Sequence, residues 1–103
     1  KEAFFNLPHG GFFIYRKEKF MKRIAVVSAI LDNPEQSQRE LNELIAAFKG
    51  LIKGRMGLPL PEHNVTVISI TLVGDLDEIN TLTGKIGLID GVQVKTSISK
   101  KEV

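Results

Sequence analysis

The 103-residue sequence predicts an α+β domain in the order β-α-β-β-α-β, with a four-stranded antiparallel sheet and both helices on one face. Three observations carry that expectation. Two segments repeat apolar residues at helical spacing, three others are rich in β-branched residues or alternate apolar with polar ones, and a short glycine-interrupted segment supplies the remaining strand. The order in which they follow one another folds, through right-handed crossovers, into such a sheet.

The first strand is Ile24 to Leu31. Ile24, Val26, Ser28 and Ile30 line one side, and Ala25, Val27, Ala29 and Leu31 line the other. A strand with no strongly polar side belongs in the middle of a sheet, covered on both faces. Asp32-Asn33-Pro34-Glu35 opens a helix, with Asn33 suited to the cap, Pro34 to the first turn and Glu35 to the helix dipole. Leu41, Leu44, Ile45 and Phe48 form its apolar stripe, Arg39, Glu40, Glu43 and Lys49 its wet side, and Gly50 its stop. Leu51 to Leu58 is a second strand interrupted by Gly54 and Gly57, and Pro59, Pro61, His63 and Asn64 form the turn after it. Val65 to Val73 has the densest β-branched composition, and it completes a hairpin with that strand. Asp75 and Glu78 form a capping box on a helix whose inner residues are Leu76, Ile79, Leu82, Thr83 and Ile86, ending at Gly87. Asp90-Gly91 turns into a last strand in which Val92, Val94, Thr96 and Ile98 alternate with Gln93, Lys95, Ser97 and Ser99. Lys100-Lys101-Glu102 reads as a charged tail. The arrangement is ferredoxin-like, and its central strands, the first and third, are also the two most apolar. The sheet face away from the helices is expected to pack on another subunit, giving a homo-oligomer, dimer or tetramer.

The first twenty residues are set apart as an N-terminal arm, and residues 21–103 as the domain. The arm holds Phe4, Phe5, Phe12, Phe13, Tyr15 and Phe20, whereas Phe48 is the one aromatic beyond it. Lys17-Glu18 can be encoded by the purine-rich AAG-GAG, two codons ahead of the ATG of Met21, a spacing that suits initiation at Met21. Two readings stay open: translated upstream sequence, or a genuine arm whose aromatics seek an apolar surface, including one on another subunit.

Composition closes off several functions. The 43% hydrophobic and 25% charged residues are ordinary for a folded domain, which argues against wholesale disorder. A net charge of +2 leaves no strong nucleic-acid footprint. With no cysteine, disulfides, thiolate-held clusters and cysteine nucleophiles are excluded, and a cytoplasmic location fits. No apolar run reaches the roughly 18 residues of a spanning helix. Only His9 and His63 are histidines, too few for a triad or a metal site in one chain. No enzyme, cofactor or metal is therefore expected.

Three residues stand out as candidates for binding a small ligand. Asp32 and Asn33 lie at a strand-to-helix junction, where backbone N–H groups and short polar side chains converge. Arg55, between Gly54 and Gly57 on a strand at the sheet edge, suits a planar anion such as a carboxylate. The alternatives are helix capping for Asn33 and a subunit seam for Arg55. Gly84-Lys85-Ile86-Gly87 has the form of a phosphate-cradling loop but sits near a helix end, where it reads as a stop with close packing.

Several motifs together resemble a known family: Gly54-Arg55-Met56-Gly57-Leu58-Pro59, Asp77-Glu78-Ile79-Asn80, Leu82-Thr83-Gly84-Lys85-Ile86-Gly87 and Gly91-Val92-Gln93-Val94-Lys95-Thr96. From about Met21 to Ile98 the chain resembles the small ACT-like regulators of the iron-only hydrogenase system. More distantly it is similar to the C-terminal domain of nickel-responsive repressors, whose histidine and cysteine ligands and DNA-binding segment are not matched. The resemblance implies an oligomeric, non-enzymatic regulator that binds a small ligand or a protein partner, with Asp32, Asn33 and Arg55 near a ligand. Alternatives are a protein-interaction scaffold or assembly chaperone without ligand, and a metal-dependent transcriptional regulator. Neither membrane association nor direct DNA binding is expected.

Overall fold

The apolar run after Lys22 builds a ten-residue strand, Arg23–Asp32, and the rest of the domain is arranged around it. The computed structural model describes residues 2–6, 12–16 and 21–103. The first two stretches are β1 (Glu2–Asn6) and β2 (Phe12–Arg16), paired antiparallel with each other. His9 and the proposed start signal at Lys17-Glu18 lie outside the described residues. The domain then runs β3 (Arg23–Asp32), α1 (Pro34–Ala47), β4 (Ile52–Leu60), a 3-10 turn (Pro61–His63), β5 (Val65–Gly74), α2 (Leu76–Gly87) and β6 (Val92–Glu102). Its sheet has the order β4-β5-β3-β6, all antiparallel, so the first and third strands of the domain are central as expected.

Strand periodicity splits β3 between two environments. Ala25, Val27, Ala29 and Leu31 are fully buried beneath the helices, beside Thr66, Ile68, Ile70 and Leu72 of β5. Leu41 and Ile45 of α1 and Ile79, Leu82 and Ile86 of α2 complete this core. Ile24, Val26 and Ile30 are about two-fifths exposed on the other face. The two apolar sides of β3 thus have different roles: one is the core, the other an open surface.

The second helix starts as the sequence dictates. Glu78 donates its backbone N–H to Asp75 Oδ1 at 2.8 Å, and Asp75 donates its own N–H to Glu78 Oε1 at 3.1 Å. At the far end, a Cβ on Gly87 would stand 3.4 Å from Val94 Cγ1, so this glycine allows close packing of α2 on β6. Gly91 has φ +77°, and a Cβ there would meet the Asp32 carbonyl oxygen at 2.9 Å. The same close approach lets Asp32 donate its N–H to the Gly91 carbonyl at 2.7 Å.

The main departures from expectation are three element ends and one register shift. Helix α1 ends at Ala47, because the Phe48 N–H turns back to the carbonyls of Leu44 and Ile45 before Gly50 is reached. Strand β4 continues through Pro59 to Leu60; it is an outer strand, where a missing ladder donor is tolerated. Lys100-Lys101-Glu102 is not a tail but the end of β6, with Glu102 paired to Arg23. Finally, the register slips between Ile52 and Gly54: Ile52 pairs with Leu72, and Gly54 with Thr71. This bulge leaves Lys53 as the extra residue and reverses which side the rest of β4 presents.

In urea unfolding monitored by circular dichroism, Leu82→Ala is expected to remove about 3 kcal/mol, the usual consequence of emptying a buried leucine site. Asp75→Ala is expected to remove about 1 kcal/mol through loss of the cap. Gly91→Ala combines a strained φ with a clash and should destabilise by at least ~1 kcal/mol.

Candidate functional site

The junction after β3 is built by two asparagines from separate turns. Asn33 (φ 53°) and Asn64 (φ 52°) both hold the left-handed conformation, which asparagine tolerates better than most side chains. Asn33 donates its N–H to the Asn64 carbonyl at 3.2 Å, and Asn64 Nδ2 donates to Asn33 Oδ1 at 2.9 Å. Asn33 occupies the cap position of α1 but its side chain does not cap the helix, contrary to the capping alternative. Its oxygen is taken by Asn64, and Pro34 contributes no N–H. The backbone N–H groups of Glu35 and Gln36 therefore face outward without a side-chain cap.

Two adjoining shallow depressions surround this turn. One is lined by Pro34, Glu35, Gln38, Arg39, Asn42 and Asn64, the other by Asn33, Glu35, Gln36 and Arg39. Arg39 and Asn64 join the sequence-predicted Asn33 there, whereas Asp32, at the end of β3, lines neither depression. Arg39 stands four residues after Glu35, so helical spacing alone puts both on one side of α1. Nothing local in the sequence links Asn64 to Asn33, since that contact spans 31 residues.

Arg55 lies elsewhere. It pairs with Ile70, on the helix side of the sheet, while Asp32 pairs with Val65 at the opposite end. Sheet spacings put the two about 19 Å apart, five residues along and two strands across. Within one chain Arg55 and the Asp32–Asn33 turn do not form a common site. His63 is exposed in its turn, with Nε2 4.0 Å from Glu62 Oε1. Among the described residues no cluster of three histidine or acidic side chains could hold a metal. Gly84 is inside α2, so Gly84-Lys85-Ile86-Gly87 is a helix end, not a loop.

The open sheet face is the larger feature. Its rows are Gly54-Thr71-Val26-Ser97, then Met56-Ser69-Ser28-Lys95, then Leu58-Val67-Ile30-Gln93. Met56 is 73% exposed and Leu58 59% exposed, so aliphatic side chains run from the centre of the face to its β4 edge. Both Asn33→Gly and Asn33→Val remove the acceptor of Asn64, but glycine suits the positive φ and should cost about 1 kcal/mol or less, whereas the branched valine should destabilise by about 2 kcal/mol in thermal or urea unfolding.

Comparison with known proteins follows this architecture closely. Residues 23–96 match a family model described as "TM1266-like: Iron-only hydrogenase system regulator, putative". The uncharacterized protein TM1266 from Thermotoga maritima has a similar structure, with a TM-score of 0.74 and 38% sequence identity, covering 77% of this chain and 99% of that one. The C-terminal domain of the MgtC protein from Mycobacterium tuberculosis shares the fold at a TM-score of 0.60 and 12% identity, over 79% of this chain and 92% of that one. Among curated proteins nothing matches. No helix among the described residues is long and apolar enough to cross a membrane. The family match spans most of the ferredoxin-like domain, from the start of β3 into β6, and on it the chain belongs to the TM1266-like family of iron-only hydrogenase system regulators.

Proposed function

We propose that this domain is a non-enzymatic regulatory module of an iron-only hydrogenase system, which assembles through its open sheet face and responds to a small ligand or a protein partner. The observation that carries the assembly is the exposure of Ile24, Val26, Ile30, Met56 and Leu58 together on one face. A contiguous aliphatic surface of this kind is hard to leave in water and marks an interaction site. The absence of acidic residues from the three central rows of that face favours apolar stacking over ion pairing.

The turn at Asp32, Asn33 and Asn64 is the place proposed for a ligand. Its two outward N–H groups and Arg39 suit a small anionic or polar group, and Glu35 limits how much negative charge it tolerates. Because Arg55 is far from this turn within one chain, its contribution to the same ligand requires a second subunit.

In sedimentation, the native chain should exceed monomer mass at micromolar concentration. Val26→Lys with Ile30→Lys should lower the mass while leaving the circular dichroism spectrum intact. A native monomer under those conditions overturns the assembly reading. In a thermal-shift screen of amino acids, nucleotides and divalent metals, a true ligand at 100 times its dissociation constant adds about 2.7 kcal/mol, a midpoint rise of roughly 10 °C. Asn64→Ala should abolish that rise. No rise across the panel moves the role to a protein-interaction scaffold.

A further inference from the structure

The β1–β2 hairpin and the open sheet face each lack apolar cover. The hairpin is a two-stranded sheet of its own, joined to no strand of the domain. Isolated two-stranded hairpins are marginal in water and need an apolar face packed on something else. This one carries Phe4 and Phe5 on β1 and Phe12, Phe13 and Tyr15 on β2. Its register makes the two faces unlike. Ala3 pairs with Tyr15 and Phe5 with Phe13, which sets four uncharged residues on one face. Glu2, Phe4, Asn6, Phe12, Ile14 and Arg16 fall on the other, with Glu2 opposite Arg16 at one end and Asn6 at the other. The first face suits burial and the second suits water.

The open face fits the hairpin in length, charge and reach. Val26 to Ile30 spans about 14 Å along β3, the same length as the five-residue strands β1 and β2. The charge in the three central rows of the face is a cation, Lys95, which aromatic rings accommodate. Residues 17–22 join the hairpin to β3. Six residues reach at most about 20 Å, twice the roughly 10 Å between face-packed sheets. The connection enters β3 beside Ile24, so β2 can return over the face antiparallel to β3. The family match begins at Arg23, so the hairpin lies outside the matched domain.

We propose that the β1–β2 hairpin is a strap that folds over the open face of its own chain, with the Phe5–Phe13 face inward, and competes there with a second copy. The same contacts could be made by the hairpin of another chain. A short tether, however, holds a chain's own hairpin at an effective concentration in the millimolar range, far above that of free chains at micromolar concentration. The structure shows the uncovered state, with Val26 and Ile30 about two-fifths exposed. A hairpin covers less of the face than a second four-stranded sheet does, so the strap raises the concentration needed for assembly without preventing it. The strap does not rest on the assembly reading, because it is detectable in a monomer.

Hydrogen exchange read by mass spectrometry, at a dilution where sedimentation gives monomer mass, tests the strap. In the native chain the amides of residues 2–6 and 12–16 should be protected. Val26→Lys with Ile30→Lys, which alters only the domain, should remove that protection. Phe5→Asp with Phe13→Asp should remove it too, whereas Phe4→Asp with Phe12→Asp, on the outer face, should keep it. The Phe5→Asp, Phe13→Asp chain should also assemble at a lower concentration than the native chain. Unprotected hairpin amides in the native monomer overturn the strap. So does protection that survives the two lysines, or protection that appears only as the mass rises, which places the hairpin on a second copy. Equal loss from the Phe4 and Phe12 substitutions, or a natural protein that begins at Met21, overturns it as well.

Discussion

The pairing of β3 with β5 is the constraint from which the rest of the domain follows. It runs without interruption from Arg23 opposite Gly74 to Asp32 opposite Val65. Because side chains alternate, that register assigns every residue of both strands to the core or to the open face at once. A slip by one residue would turn over one of the two strands, bringing either Val26 and Ile30 in place of Val27 and Leu31, or Ser69 and Thr71 in place of Ile68 and Ile70, beneath the helices. The loss of packing would be prohibitive. The helices can attach only to the side so defined, and Leu41, Ile45, Ile79, Leu82 and Ile86 meet that side with complete or near-complete burial. Polar burial is sparse among the described residues, with Ser37 and Thr66 the buried polar side chains. The domain is thus held together mainly by shape and apolar area.

What was legible in the sequence was local or periodic. The Asp75–Glu78 capping box is a four-residue signal and appears with both of its hydrogen bonds. Ile24 to Leu31 and Val65 to Val73 are the two most apolar strand segments, and with the order of elements this correctly places them in the centre of the sheet. What was not legible depends on partners far along the chain. Asn33 has the composition of a cap, but Asn64, arriving from the next loop, takes its side-chain oxygen. Lys100-Lys101-Glu102 looks like a solvated tail until the length of β3 gives it a strand to pair with. The position of Arg55 could not be read because a bulge at Lys53, with no marker in the sequence beyond a nearby glycine, changes the side to which it points.

The features that distinguish this domain lie on its surface. The described residues offer no cluster of metal ligands, and the one histidine among them is exposed in a turn. Its surfaces are more distinctive: an aliphatic face, a glycine-bearing edge and a polar turn with unused N–H groups. The turn lies at the end of β3, the strand whose outer side forms the centre of the face. Under the proposed function, a molecule that tightened the Asn33–Asn64 link would bear on the strand ends that shape that face, which would give a short mechanical route between binding and assembly.

The bulge at Lys53 gives this surface an unusual genetic basis. Had β4 continued in the phase of Ile52, Met56 and Leu58 would lie on the helix side, and Arg55 and Gly57 would occupy the open face. A single added residue, not a change of composition, therefore decides that the strand's aliphatic side chains join those of β3 and β5. The apolar character of the outer surface is governed by chain length at one point. A change of side chain at residue 54, 56 or 58 would therefore alter the open face while leaving the core beneath the helices untouched.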